Sequence, residues 1–239
     1  MPEINYSSEL LDQEYASREP IRATLQFLKD TYGIAGKSVA EFGSGLGHNL
    51  DVFGSENTVI GIEGLQTAAA AATNRGVPTM IADLSADVPL EAESYDVALC
   101  LDVLEHLVEP RRCLREVHRI LRVGGMIAVN VPNHFTLSGR INIARGSGVD
   151  SARFFPNHAD WENPHIRFFR HSSILKLMAD CAFHIEADWS ARFPSIPIIR
   201  RWPSLQHSSL ARTLAGRFPE LFAGGFFILG RKEGPTSPR

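Results

Sequence analysis

Five short apolar runs rich in β-branched residues, "KSVAEFG", "NTVIGIEG", "VPTMIADL", "YDVALCLDV" and "GGMIAVNVP", follow one another between residues 37 and 132. Between them lie stretches with helical character, such as "LQTAAAAATNRG" and "EPRRCLREVHRIL". This alternation predicts βαβ units around a buried parallel sheet. With 239 residues, 44% of them hydrophobic, the chain can bury the core of one large α/β domain and carry an insertion as well.

Residues 7 to 32 read as two helices. Ser7 or Ser8 caps the first; in "EPIRATLQFLKDTYG", Pro20 lies near the start and Gly33 just past the end. After Pro132 the rhythm breaks into "NHFTLSGRINIARGSGVDSARFFPNHADWENPHIRFF", too long for an ordinary connection and therefore expected to hold a lid or substrate-facing elements of its own. Helical periodicity returns in "SSILKLMADCA", followed by strand-like "FHIEADWS", a Pro-rich stretch and a final strand, "GGFFILGRK". The tail "EGPTSPR" is expected to be disordered.

The polar, acidic first twenty residues lack the pattern of a secretory leader, and no apolar run approaches the roughly 20 residues of a spanning helix. The expectation is a cytoplasmic protein without a transmembrane segment. Cys100, Cys113 and Cys181 show no CxxC spacing and are expected to be buried thiols. Charge is uneven: residues 1–132 hold 10 basic and 19 acidic side chains, residues 133–239 hold 14 and 8. The basic half suits an anionic substrate or a membrane surface, or docks on the acidic half.

The turn after the first strand is "EFGSGLG", Glu41 to Gly47, and the segment that follows it reads as a helix. Glycines here let the backbone approach a ligand at the carboxyl ends of the strands. The dinucleotide fingerprint G-x-G-x-x-G fails because His48 stands at its third glycine, and the phosphate-binding loop fails for want of a G-K-[ST] ending.

The E-x-G-x-G-x-G turn resembles motif I of class I S-adenosylmethionine-dependent methyltransferases. "VIGIEG", "IADL", "YDVALCLDVLEHL" and "REVHRILRVGGMIAVNVPN" fall where that family places its next segments. The resemblance is strong over residues 38 to 133. It implies a Rossmann-like, seven-stranded, mostly parallel sheet with helices on both faces and the last strand antiparallel. It assigns the donor, S-adenosyl-L-methionine, to Glu41, Gly43, Ser44, Gly45, Gly47, Glu63, Gly64, Asp83, Leu84, Leu101 and Asp102. Glu63 would take the ribose hydroxyls and Asp83 the adenine amino group, with Leu84 beside the ring. Beyond Pro132, "HIRFFRHSSILKLMADCAFHIEA" is similar to bacterial small-molecule methyltransferases of the MetW-like and quinone-methyltransferase-like groups. Position in the family also draws Tyr6, Tyr15 and Arg22 toward the donor. A carboxylate after a strand is equally a common helix cap; what distinguishes these is four of them, Glu41, Glu63, Asp83 and Asp102, in order around a glycine turn.

Methyl transfer is a displacement at carbon, served by holding donor and nucleophile in line with water excluded. A hydroxyl or amine acceptor must also lose a proton, for which histidine is the default base. His106, just past the fourth strand, is the first candidate, followed by His134 and His165; each can also serve only to fix its own turn or packing. Arg167 and Arg170 are candidate contacts for an anionic substrate. Phe154, Phe155, Trp161, Phe168 and Phe169 wall a pocket or form the core of the insert. "HADW", with His158, Asp160 and nearby Glu162, matches no ligand spacing, so no metal is expected.

The resulting expectation is a single domain: N-terminal helices (1–36), a donor-binding core (37–133), an inserted cap (134–170), a C-terminal helix and strands (171–232) and a tail (233–239). The expected reaction is O-methylation of a sugar, lipid-linked or secondary metabolite. N-methylation, a non-catalytic donor-binding accessory role and an NAD-dependent oxidoreductase are the alternatives. The acceptor is a small molecule, anionic by the charge argument; nucleic acid is excluded for want of a motif, and a homodimer is compatible with the sequence.

Overall fold

The computed structural model describes residues 18–146, 149, 165–197, 205 and 208–234. The expectations for Tyr6, Tyr15, the first N-terminal helix, Phe154, Phe155, His158, Asp160, Trp161, Glu162 and the last five residues lie outside them.

In chain order the elements are α1 (Glu19–Tyr32), β1 (Ser38–Phe42), β2 (Thr58–Glu63), α2 (Gln66–Asn74), β3 (Thr79–Ile81), β4 (Tyr95–Leu101), α3 (Pro110–Ile120), β5 (Leu121–Pro132), α4 (Leu137–Ala144), α5 (His171–Asp180), β6 (Phe183–Asp188), α6 (Ser209–Arg217), α7 (Pro219–Phe222) and β7 (Gly225–Lys232). The strands form one seven-stranded sheet in the order β3-β2-β1-β4-β5-β7-β6. β1 to β5 pair in parallel, and β7 runs antiparallel to both β5 and β6. This is the architecture expected from the sequence, including the antiparallel last strand.

Successive residues of the central strands point into two different cores, which is why these strands read as continuous apolar runs. Ala40, Phe42, Cys100, Ile127, Val129, Phe226 and Ile228 enter one core, with Leu114 and Val117 of α3 and Ile174 and Met178 of α5. Val39, Leu99, Leu101, Ala128, Phe227 and Leu229 enter the other, with Leu25 and Leu28 of α1 and Ala72 of α2. In α1, Ile21, Leu25 and Leu28 recur on one buried face, Pro20 opens the helix and Gly33, in a left-handed conformation, closes it with its N–H on the Lys29 carbonyl. All three cysteines are buried thiols.

Two local readings differ from the sequence expectation. The segment after the glycine turn, read as a helix, is only a 3-10 turn at Leu50–Val52. Gly54, Ser55 and Asn57 follow before β2 begins at Thr58, leaving no room for three turns of α-helix. Conversely, the irregular stretch after Pro132 contains α4, capped by the Thr136 hydroxyl accepting the Gly139 amide.

Candidate active site

The carboxyl ends of β1, β2 and β4 lie side by side, since Glu41 is in register with Gly61 of β2 and Leu99 of β4. From β1 the chain turns through Gly43, Gly45 and Gly47, with φ of 73°, 52° and 77°. A methyl group on Gly43 would overlap the Val103 side chain, and one on Gly47 would lie 2.9 Å from Val77 Cγ1. Both positions therefore need glycine for backbone conformation and for packing.

Glu63, at the end of β2, spans this turn. One oxygen accepts the Gly45 amide at 2.8 Å and the other the Leu65 amide at 2.8 Å. Glu41 is fully buried; Oε1 accepts the Asn49 amide nitrogen at 2.7 Å, and Oε2 has no hydrogen-bond partner. Burial raises the Glu41 carboxyl to a pKa of about 8, against the Asn49 hydrogen bond and the Arg18 charge. Ser44 is buried in the same turn with its hydroxyl unpartnered. Gly64 passes near the Ala82 carbonyl, which lies 3.6 Å from where its Cβ would stand.

Asp102, just past β4, has a φ of 53°. Its Oδ1 accepts Asn130 Nδ2 at 2.6 Å and its Oδ2 pairs with Arg18 at 2.8 Å. Burial raises its pKa, with Arg18 and Asn130 opposing. Leu101 before it is buried in the sheet. Asp83 holds its own turn, accepting the Ser85 amide at 2.8 Å, and Leu84 is buried in the core alongside Gly43 and Val103. The edge thus combines a backbone cradle with carboxylates, a chemistry suited to a ligand carrying positive charge and ribose hydroxyls. Arg22 lies near Glu19, at 3.4 Å; the arginine on the Asp102 carboxylate is Arg18.

A second cluster adjoins Asp102. The 3-10 turn Leu104–His106 brings His106 beside His165, with ring centroids 4.8 Å apart. His165 Nδ1 lies 2.8 Å from His134 Nε2, and His165 Nε2 lies 3.8 Å from Glu105 Oε1. The three sequence-predicted histidines therefore meet in one place, with His134 and His165 buried. Burial, reinforced by the two neighbouring histidines, lowers the His165 pKa to about 3. The Glu105 carbonyl accepts the amides of Ile166 and Arg167, at 2.9 and 3.0 Å, tying the incoming segment to the turn. Arg167 spends its guanidinium on the carbonyls of Val108 and Ile166. The backbone of Arg170 starts α5 and exchanges hydrogen bonds with Ser173. Phe168 packs edge-on to His134, and Phe169 is buried in the core.

Arg18, Asn49, Asn130 and Glu105 were not expected at the site. Glu105 carried a signal, since it precedes His106 within "LDVLEHL"; the others meet their partners only through the fold.

Residues 40–129 match the family described as "Methyltransferase domain". Over that stretch the chain is similar to methyltransferase domains. The match covers the strands that bear the glycine turn, Glu63, Asp83 and Asp102, and stops short of His134. A Mycobacterium tuberculosis protein named "Probable S-adenosylmethionine-dependent methyltransferase" is 36% identical over 105 residues, 43% of this chain and 38% of that protein. The ubiquinone biosynthesis O-methyltransferase of Pseudomonas savastanoi pv. phaseolicola is 29% identical over 121 residues, 48% of this chain and 51% of that one. The chain thus spans between about a third and a half of these relatives' length. Among solved structures, an S-adenosylmethionine-dependent methyltransferase from Thermotoga maritima shares the fold with a TM-score of 0.60 at 21% identity, covering 92% of this chain and 95% of that one. Among the described residues no helix is long and apolar enough to cross a membrane.

Proposed function

We propose that the protein transfers a methyl group from S-adenosylmethionine to a hydroxyl of a small-molecule acceptor. The observation that carries this reading is the juxtaposition of the Gly43–Gly47 turn, braced by Glu63, with the Glu105–His106–His134–His165 cluster just beyond Asp102. The first supplies a donor cradle, the second a place for an acceptor proton to go.

In this reading Gly43, Ser44, Gly45 and Gly47 face the donor's amino acid end, Glu63 takes the ribose, Asp83 and Leu84 take the adenine, and Asp102 stands near the sulfonium. The resident donor supplies an electrophilic methyl; the chain holds it in line with the acceptor and excludes water. His106, half-buried between donor edge and cluster, is positioned to receive the acceptor proton. The basic balance of residues 133–239 favours an anionic acceptor, and the likeness to an O-methyltransferase favours oxygen as the acceptor atom. The segments after Pro132 act with the core as one domain, contributing His134 and His165 as a cap on the acceptor side.

Calorimetric titration with S-adenosylhomocysteine, with NAD as control, tests the donor half: saturable one-to-one binding of the first and none of the second is expected. The acceptor half is tested by screening anionic sugars and lipids for release of S-adenosylhomocysteine. No binding by the folded protein overturns the reading.

A further inference from the structure

We propose that Glu105, His106 and His165 form a binding site for a divalent transition-metal ion. One ligand atom from each lies within 4.8 Å of the others. Glu105 has no solvent exposure, and neither of its carboxylate oxygens has a hydrogen-bond partner. A carboxylate buried in this way is costly unless something neutralises it. Across the cluster, His165 Nε2 lies 3.8 Å from Oε1, too far for a hydrogen bond. That separation matches two metal–ligand bonds of about 2.1 Å meeting at a wide angle.

The orientation of His165 supports the same assignment. Its Nδ1 is engaged with His134 Nε2 at 2.8 Å, so its Nε2 is the atom facing Glu105. A ring held by one nitrogen and presenting the other is the usual arrangement of a metal-binding imidazole. The backbone supports it too, because the Glu105 carbonyl takes both the Ile166 and the Arg167 amide, which locks His165 beside the turn that carries Glu105 and His106. His134 is then a positioning residue.

Two imidazoles and one carboxylate suit Zn2+, Fe2+, Co2+ or Mn2+ better than Mg2+ or Ca2+, which favour all-oxygen shells. Three protein ligands leave positions open for an acceptor oxygen. On the methyl-transfer reading, and only on it, the ion has a catalytic use. With an ion bound, His106 is one of its ligands and not the proton acceptor. The acceptor hydroxyl binds the ion, whose charge lowers its pKa, and loses its proton to solvent before the site closes on the donor. The oxygen then forms a bond to the donor methyl carbon as the carbon–sulfur bond breaks and its electron pair stays on sulfur.

The test uses the whole chain, stripped with a chelator and titrated with Co2+ alone, followed by ligand-field absorption in the visible. Calorimetry with Zn2+ gives a second readout. One ion per chain is expected, with binding weakened at least about tenfold in Glu105→Gln and in His165→Ala. His165→Asn serves if the alanine variant does not fold by circular dichroism. Absence of saturable binding by the wild-type protein overturns the proposal, as does binding that neither site substitution alters. Metal binding that persists while S-adenosylhomocysteine fails to bind overturns the methyl-transfer reading and leaves the metal site standing.

Discussion

The Glu63 carboxylate closes the glycine turn from outside, accepting the Gly45 amide at 2.8 Å. Because its other oxygen holds the Leu65 amide, the same side chain fixes two loops and still has lone pairs for a ligand. Glu63→Ala is expected to weaken S-adenosylhomocysteine binding by about ten- to a hundredfold, the loss of one or two charge-assisted hydrogen bonds. Calorimetry of the variant checks this, and an affinity within twofold of wild type would remove Glu63 from the ribose site.

Gly43 and Val103 form a steric pair. Gly43→Ala is expected to cost roughly 2–4 kcal/mol, from the positive φ and the overlap with Val103 together. Adding Val103→Ala should recover only the overlap part, and chemical denaturation of the single and double variants separates the two contributions.

Glu41 gives a pH dependence of definite sign. Its folded pKa of about 8 lies above the ordinary 4.5, so between those values the unfolded chain loses a proton that the folded chain keeps. Stability from this group is therefore lost as pH rises through that window. Glu41→Gln should gain on wild type by up to about 4 kcal/mol at pH 8 and show little difference near pH 4. Urea melts at the two pH values decide it; equal slopes for both proteins would show that Glu41 is ionised in the fold across that range.

Arg18 and Asp102 pair at 2.8 Å with both side chains over a quarter exposed. Removing an ion pair of this kind costs stability little, about 0–1 kcal/mol. Its effect should appear in ligand discrimination instead. S-adenosylmethionine is cationic at sulfur and S-adenosylhomocysteine is not, so Arg18→Met should shift the affinity ratio toward the former by roughly threefold. Parallel titrations measure it, and a shift toward S-adenosylhomocysteine would place the sulfur away from Asp102.

The strands were legible because each buried strand is a short, continuous apolar run, and the proposed donor residues could be picked out because each lies in or just past such a run. Glu41, Glu63, Asp83 and Asp102 needed no knowledge of strand order. Asn130 was different: it reaches Asp102 only because β5 lies next to β4. Arg18 lies 84 residues from its partner. The meeting of His134 with His165 also depends on the Glu105 carbonyl capturing the returning segment, a backbone contact that leaves no trace in residue type. The missing helix after the glycine turn shows the reverse case, where the fold's usual order suggested an element that the spacing to Thr58 could not contain.

β7 sits between β5 and β6, and its Lys232 reaches back to the Leu121 carbonyl at 2.8 Å. A chain made from its N-terminus therefore exposes one open side of β5, and an unpaired β6, until residues 225–232 have left the ribosome. The sheet is completed from its interior by the last strand to arrive. During that interval the nascent protein is a natural client for chaperones that shield unpaired strands, and a premature stop before Gly225 would split the sheet where it is most buried.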